Sequence, residues 1–231
     1  MKNYRNEWKY ACTQSELSVI GHGLSLVLSR DAHAGSDGRY RVRSLYFDDL
    51  NNACALDTLA GLRTRYKYRI RYYDDSPESI RLERKEKLDG GGHKDSCPLT
   101  REEYDALICG AVSPMIYETS KPLLRRFCAN ILKRRFAPKL IVDYERIAFV
   151  EPISNVRITM DTNISASAEC HRFLSGAYQR IPIMPKDTHI LEVKFDAILP
   201  GYIRRTVDSW NLQQQSYSKY VQSFERLRSI I

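Results

Sequence analysis

Short segments in which charged and apolar side chains alternate recur along the whole chain, and they constrain its fold more than any other feature. Residues 67–71 read Lys-Tyr-Arg-Ile-Arg. Alternate side chains of a strand share one face, so such a strand has one cationic and one apolar face. The same two-residue period is present in residues 5–9, 81–87, 144–146, 157–161 and 192–194. These segments predict a sheet with one apolar and one polar face.

The polar face of these segments is strongly cationic. Arg5, Glu7 and Lys9 share this face in the first segment. In the other segments its acidic members are Glu83, Asp161 and Glu192, and its basic members are Lys67, Arg69, Arg71, Arg81, Lys85, Lys87, Arg146, Arg157 and Lys194. An ordinary half-exposed sheet explains polar alternation in any one strand. Arginine at so many positions favours a phosphate ligand, because its planar fork matches phosphate oxygens. If the strands close into a barrel, these cations would converge and need a polyanion, interleaved carboxylates or metal ions between them.

Composition excludes several classes of protein. The chain of 231 residues carries 36 Lys and Arg against 28 Asp and Glu, a net charge of +8, which fits a polyanionic partner or an ordinary basic protein. No stretch approaches the roughly 18 apolar residues of a membrane span, and the N-terminus lacks a signal-like apolar segment. The six cysteines form no C-x-x-C pair, and the five histidines have no zinc-binding spacing. We therefore expect a cytoplasmic protein with reduced thiols.

Local patterns predict the order of the elements. Two capping boxes, Thr13 with Glu16 and Thr100 with Glu103, predict helix starts. Loops are predicted at residues 31–38, 74–77 and Gly90–Gly92. Further helices are predicted at about 49–60, 120–135, 201–210 and 218–229, and strands at 4–12, 40–48, 64–74, 79–88, 139–149, 155–163, 179–184 and 189–196. The expectation is a single domain over residues 1–231, with roughly eight strands and with helices outside the sheet.

Eight short motifs in order carry a family resemblance. They are R-N-E-W-K-Y (5–10), S-L-Y-F-D (44–48), K-Y-R-I-R-Y (67–72), L-E-R-K-E-K (82–87), D-Y-E-R-I-A-F (143–149), R-I-T-M-D (157–161), I-L-E-V-K-F (190–195) and S-K-Y (218–220). Over about residues 3–228 the chain resembles the vacuolar transporter chaperone (VTC) catalytic domain. This is the polyphosphate polymerase branch of the triphosphate tunnel metalloenzymes, also called the CYTH-like superfamily.

The resemblance implies a fold, a reaction and a set of site residues. The fold would be α+β, with a tunnel-shaped, eight-stranded antiparallel β-barrel and helices packed outside. The reaction would transfer the γ-phosphate of ATP to a growing polyphosphate chain, with Mn2+ or Mg2+, and release ADP. The residues implied to bind phosphates and act in catalysis are Lys9, Arg69, Arg71, Lys85, Arg146, Arg157 and Lys219. Glu192 and Glu7 would hold metal, Tyr144 would lie against adenine, and further substrate contacts would come from Lys67, Lys87, Lys194 and Ser218.

Structural alternatives exist for two of these roles. Glu192 could be an ion-pair partner of Lys194 rather than a metal ligand. Tyr144 could be a packing aromatic. No nucleic acid is expected, because aromatics such as Tyr68 and Phe195 lie on the face opposite the cations, whereas a stacking platform would place both on one face.

One departure from the superfamily pattern bears on the reaction. Hydrolytic members open with E-x-E-x-K, whereas Arg5, Glu7 and Lys9 stand in that frame here. A cation in place of the first carboxylate should weaken a second metal site and the activation of water, which favours a polymerase. A tri- or polyphosphate hydrolase and a non-catalytic polyphosphate-binding module are the alternatives. Eukaryotic relatives of this family carry an SPX sensor and have membrane-spanning partners. This sequence shows neither feature, so we expect this chain to act in solution or beside a membrane partner protein.

Overall fold

A computed structural model describes residues 4–32, 35, 37–74 and 76–230. Residues 33, 34, 36 and 75 of the predicted loops, and residues 1–3 and 231 at the ends of the predicted domain, lie outside the described residues. The described strands are β1 (Asn6–Thr13), β2 (Ser29–Arg30), β3 (Tyr40–Asp48), β4 (Thr64–Tyr73), β5 (Arg81–Leu88), β6 (Gly91–Pro98), β7 (Ala137–Glu151), β8 (Val156–Ser167), β9 (Ile181–Pro182) and β10 (Thr188–Phe195). The described α-helices are α1 (Gln14–Ser25), α2 (Ala53–Leu59), α3 (Arg101–Cys109), α4 (Ser113–Glu118), α5 (Pro122–Arg134), α6 (Gly201–Ser209) and α7 (Lys219–Arg228).

Both predicted capping boxes are present. Thr13 accepts a hydrogen bond from the Glu16 N–H at 3.3 Å, and Glu16 accepts one from the Thr13 N–H at 2.7 Å. Thr100 and Glu103 repeat this arrangement at the start of α3. These reciprocal bonds satisfy N–H groups that the first turn of a helix leaves unpaired, which is why both helix starts were readable from local sequence.

The ten described strands form one antiparallel sheet. Its order is β1-β10-β8-β7-β3-β4-β5-β6, with β2 and β9 pairing with β7 and β8. The edge strands β1 and β6 approach each other at one bridge, where Arg5 and Gly92 exchange two N–H···O bonds of 2.9 Å. No continuous ladder joins the two edges along the described strands. The sheet is therefore not closed, and the predicted closed, eight-stranded barrel is not confirmed.

Strand β6 was not predicted, because its first residues belong to a run of three glycines that was predicted to be a mobile loop. Gly91 and Gly92 instead pair with Leu88 and Lys87. A Cβ on Gly91 would lie 2.8 Å from the Cβ of Tyr4, a separation that side chains do not adopt. Glycine is thus required for the close approach of the chain near β1, not for flexibility.

Two apolar clusters cover the face of the sheet that bears the helices. In the larger cluster, Tyr68 stacks on Phe127 of α5 with ring centroids 4.5 Å apart. In the smaller cluster, α1 and α6 pack on β8 and β10 through residues such as Leu24, Ile158 and Ile203. The strongly apolar face predicted from alternation is therefore the helix-covered face, and the cationic side chains lie on the opposite face. Among the described residues, no helix combines the length and apolar character needed to span a membrane.

Candidate functional site

The concave, polar face of the sheet encloses a cavity of about 1310 Å³, which we call the basic cavity. All of the site residues expected from the sequence line it: Glu7, Lys9, Lys67, Arg69, Arg71, Lys85, Lys87, Tyr144, Arg146, Arg157, Glu192, Lys194, Ser218 and Lys219. These residues come from six strands and from the segment that begins α7. Curvature of one sheet thus brings together side chains that are up to 212 positions apart in the chain.

The lining of the basic cavity has a larger excess of positive charge than the chain as a whole. Fourteen of its lining residues are Lys or Arg and four are Asp or Glu, whereas the whole chain has a net charge of +8. Cations packed at this density repel one another strongly where water is partly excluded. The cavity is therefore suited to a polyanionic ligand.

Glu83 lies among three cations on the wall formed by β4, β5 and β6. Its carboxylate oxygens lie 2.6 Å from Arg69 Nη2, 2.8 Å from Lys94 Nζ and 3.9 Å from Arg71 Nη1. Burial by itself would raise the pKa of Glu83, but the three cations outweigh it and lower the pKa well below its ordinary value. A permanently ionised Glu83 thus orients Arg69 and Arg71 towards the cavity.

A second wall, formed by β1 and β10, places Glu7 and Glu192 among lysines. Lys85 Nζ approaches the two Glu7 oxygens at 2.9 and 2.8 Å. Lys9 Nζ lies 3.5 Å from Glu7 and 3.6 Å from Glu192, and Lys194 Nζ lies 3.1 Å from Glu192. The ion pair between Lys194 and Glu192 that was considered as an alternative is therefore present. Each carboxylate is shared among several ammonium groups, so positive charge remains in excess.

Asp161 anchors the third wall, where β7 and β8 meet the start of α7. It receives two hydrogen bonds from Arg146, at 2.6 and 2.8 Å, and lies 2.6 Å from Lys219 Nζ. Asp161 is fully buried. Burial opposes its ionisation, yet Arg146 and Lys219 lower the pKa of Asp161 strongly. At one side of this wall, Arg157 contacts Asp31 at 2.5 Å and the Tyr40 hydroxyl at 2.7 Å.

Tyr144 lies within this cationic wall. Its hydroxyl accepts a hydrogen bond from Arg71 at 3.2 Å, and its ring centroid lies 4.9 Å from Lys219 Nζ and 5.2 Å from Arg146 Cζ. Burial raises the pKa of Tyr144, but the cations outweigh burial and bring it down to about 8. The expected contact with adenine stays a prediction, and the ring's present partners are cations.

The carboxylates suit a metal ion that the substrate helps to bind. Within the described residues, no group of three or more His, Cys, Asp or Glu side chains is placed to hold a metal ion. Mg2+ in phosphoryl-transfer sites uses one or two carboxylates and completes its ligands with water and substrate phosphates. Glu7 and Glu192, which share Lys9 within 3.6 Å, fit that donor set, so they remain the residues expected to hold metal.

Several lining residues were not assigned from the sequence. Lys94 belongs to the unpredicted strand β6, and Tyr46 accepts a hydrogen bond from Arg69 at 3.0 Å through its hydroxyl. The Tyr217 hydroxyl is buried and has no hydrogen-bond partner among the described residues. Burial raises its pKa to about 12, so this hydroxyl keeps its proton. Only the S-K-Y motif beside Tyr217 pointed to this segment.

Several lysines of the basic cavity have lowered pKa values. Burial lowers the pKa of Lys67 to about 7, and it lowers that of Lys9 and that of Lys194 to about 8. Repulsion from Lys9 and Arg65 lowers the pKa of Lys67 further, because a nearby like charge disfavours the charged form. These lysines therefore bind their protons weakly in the absence of an anion.

Binding of inorganic tripolyphosphate is expected to take up protons at about pH 8 and to weaken as the pH rises further. The reason is that a bound anion favours the ammonium form and raises the lysine pKa values. Tripolyphosphate itself contributes little, since a phosphate's last ionisation lies near pH 6. Calorimetric titration in two buffers with different ionisation enthalpies measures the uptake. Equal heats in both buffers would show that the lysines are already charged.

Comparisons with known proteins agree with this geometry. A family model described as the VTC domain matches residues 4–228. Among solved structures, the chain is similar to a candidate adenylate cyclase from Bacillus halodurans, at 12% identity and a TM-score of 0.54, covering 96% of this chain and 98% of that one. It is also similar to a protein from Pyrococcus horikoshii OT3, at 10% identity and a TM-score of 0.51, covering 96% and 99%. At these identities the structural likeness concerns the fold alone. No curated protein matches the chain.

Proposed function

This chain belongs to the VTC domain family, and from that premise we propose that it is a polyphosphate polymerase. It transfers the γ-phosphate of ATP to the end of a polyphosphate chain and releases ADP. The observation that carries the proposal is the basic cavity, in which fourteen Lys and Arg residues face four carboxylates. ATP and polyphosphate both supply the negative charge that this lining lacks.

The chemistry requires positioning more than side-chain reactivity. Phosphoryl transfer passes through a loose transition state whose charge spreads over the oxygens of the transferred group. A terminal oxygen of the polyphosphate attacks the γ-phosphorus while the bond to the β-phosphate oxygen breaks and ADP leaves. The attacking oxygen is already ionised at neutral pH, so no general base is needed.

The cavity residues supply oriented positive charge for this step. Arg69 and Arg71, held by Glu83, and Arg146, held by Asp161, present guanidinium groups whose geometry is set before substrate enters. Preorganised donors stabilise developing charge without the cost of reorienting during the reaction. Glu192 and Glu7 would hold a divalent cation, which supplies Lewis-acid neutralisation of phosphate charge when bound.

The contacts of Arg5 favour polymerase over hydrolase. Its guanidinium Nε lies 2.9 Å from Asp196 and another nitrogen bonds the Asn155 carbonyl. A cation therefore lines the cavity at the position where hydrolytic members of the superfamily, as the resemblance implies, have a carboxylate. Without that carboxylate, the site offers fewer oxygen ligands for a second metal ion that would activate water.

Phosphorus NMR of the protein with ATP and Mn2+ or Mg2+ tests the proposal. Mid-chain phosphate signals are expected to grow with ADP. Growth of orthophosphate alone would establish a hydrolase instead, and an unchanged spectrum with tripolyphosphate binding would establish a binding module.

Glu192→Gln is expected to raise the metal concentration needed for half-maximal turnover by about tenfold or more, because it removes an anionic ligand. Glu145→Gln is the matched control. Glu145 does not line the cavity, unlike its neighbours Tyr144 and Arg146 in β7, and it pairs with Arg41 at 3.1 Å. Turnover is measured against metal concentration for both variants. If Glu192→Gln needs the same metal concentration as wild type, Glu192 is not a metal ligand.

A further inference from the structure

A buried carboxylate behind the basic cavity joins three elements. Asp48, which is 1% exposed, is the last residue of β3. Its Oδ1 accepts the N–H of Cys54 at 2.9 Å and its Oδ2 accepts the N–H of Ala55 at 3.0 Å. Asn52, at the N-cap of α2, makes no side-chain capping bond. Asp48 thus replaces the missing cap and ties the start of α2 to β3.

The same carboxylate also binds the first turn of α7. The Tyr220 hydroxyl donates a hydrogen bond to Asp48 Oδ2 at 2.6 Å, and Tyr220 is 1% exposed. The Tyr220 ring stacks on Tyr46, with centroids 4.8 Å apart, and Tyr46 in turn contacts Arg69. Because a hydrogen bond between buried groups is strengthened by the low local dielectric, this contact holds the start of α7 in one place.

The two residues that precede Tyr220 face the basic cavity. Ser218 caps α7 and accepts a hydrogen bond from Lys67 Nζ at 2.8 Å. Lys219 reaches Asp161 at 2.6 Å. A shift of the first turn of α7 would therefore displace both Lys219 and the partner of Lys67, and small displacements of a binding group reduce its effect steeply.

We propose that Tyr220 and Asp48 are positioning residues, which set the place of Lys219 and Ser218 against the phosphates of the ligand. Asp48 does not line the basic cavity, and Tyr220, which does, has its hydroxyl bonded to Asp48 and not free for the ligand. The inference rests on the proposed function, in that it takes Lys219 to bind phosphate. It goes beyond that function by explaining what holds the first turn of α7 in the cavity wall.

The chain contains a matched control for the hydrogen bond itself. Tyr178 is also buried, and its hydroxyl donates to the buried carboxylate of Asp143 at 2.9 Å. That pair does not line the basic cavity. Tyr178→Phe and Tyr220→Phe therefore remove the same kind of bond, one away from the cavity and one in its wall.

The experiment is a double-mutant cycle on the full chain, with inorganic tripolyphosphate as the calorimetric probe. The variants are Tyr220→Phe, Lys219→Ala, the double variant and Tyr178→Phe, each with a measured melting temperature. Tyr220→Phe is expected to weaken binding about tenfold. The double variant is expected to bind no more weakly than Lys219→Ala, since coupled residues give non-additive effects. Tyr178→Phe is expected to melt earlier and to bind like wild type.

Three results would overturn the inference. Tyr220→Phe could bind like wild type while melting earlier, which would leave it a purely structural residue. Its effect could instead add fully to that of Lys219→Ala, or Tyr178→Phe could weaken binding equally, and either would mean that Tyr220 does not act through Lys219. Each of these three results is obtained with a wild-type protein that binds tripolyphosphate, so it leaves the proposed function standing. If wild-type protein does not bind tripolyphosphate, the proposed function itself fails.

Discussion

Replacing Asp161 by alanine is expected to lower the free energy of unfolding by about 3–5 kcal/mol. The side chain is fully buried, and it is the shared partner of Arg146 and Lys219, whose side chains are 8% and 12% exposed. Its removal leaves two nearly buried cations together, and among the described residues their one remaining carboxylate contact is that of Arg146 with Glu192 at 3.8 Å. Breaking a buried pair by deleting one partner is costly because the remaining charge is desolvated and unpaired.

Chemical denaturation with and without inorganic tripolyphosphate measures this loss and its reversal. A ligand at 100 times its dissociation constant stabilises the native state by about 2.7 kcal/mol. Because Asp161 itself repels phosphate, the Asp161→Ala variant should gain at least as much stability from tripolyphosphate as wild type does. Phosphate oxygens would then replace the missing carboxylate.

Asp105→Ala is the control for a surface pair. Asp105 contacts Arg101 one helical turn away at 3.0 Å, with both side chains more than half exposed, and its loss should change stability by no more than about 0.5 kcal/mol. Equal stability losses for Asp161→Ala and Asp105→Ala would contradict the electrostatic account of the third wall.

Arg69→Ala is expected to reduce turnover by about 10²–10³-fold. Its guanidinium group lies on the inner face of β4, bonded to Glu83 and to the Tyr46 hydroxyl, so its fork is oriented before the ligand enters. Arg69→Lys should recover only part of the loss, because an ammonium group keeps the charge and loses the planar pair of donors. Steady-state ADP release and the growth of polyphosphate measure both variants.

The loss in Arg69→Ala should arise without unfolding. Glu83 keeps its contact with Lys94 at 2.8 Å, so the carboxylate is not left without a cation. Arg63→Ala is the matched control, since Arg63 precedes the same strand, is 84% exposed and pairs only at the surface with Asp89. Full activity in Arg69→Ala, or an equal loss in Arg63→Ala, would contradict a role for Arg69 in the transfer.

Much of the fold was readable from local sequence because its causes are local. Strand β3 has the predicted bounds, residues 40–48, since alternation of side chains reports strand geometry directly. Capping boxes placed the starts of α1 and α3 for the same reason. The triple glycine was misinterpreted because a glycine run predicts flexibility unless the contact that excludes a Cβ, here Tyr4 against Gly91, is known.

For the strand residues of the candidate site, the sequence predicted which face of the sheet each side chain occupies. Lys67, Arg69 and Arg71 were placed on the face opposite Tyr68 and Ile70, and the structure places them there, lining the cavity. The contacts of Glu83 with Lys94 and of Asp161 with Lys219 could not be predicted, because they depend on strand order and on the packing of α7. A period of two identifies a face but carries no information about which strands become neighbours.

The sequence by itself determined the alternation of cationic and apolar faces, the helix starts and the family, since each depends on residues close together in the chain or on ordered motifs. Tertiary structure alone decided that the sheet curves without a continuous closing ladder, that β6 forms, and that Asp48 holds Tyr220. Those outcomes depend on contacts between segments as far apart as 172 positions. These contacts are stabilised by burial of apolar surface and by hydrogen bonds and ion pairs between buried groups, and such interactions form only when the chain has folded.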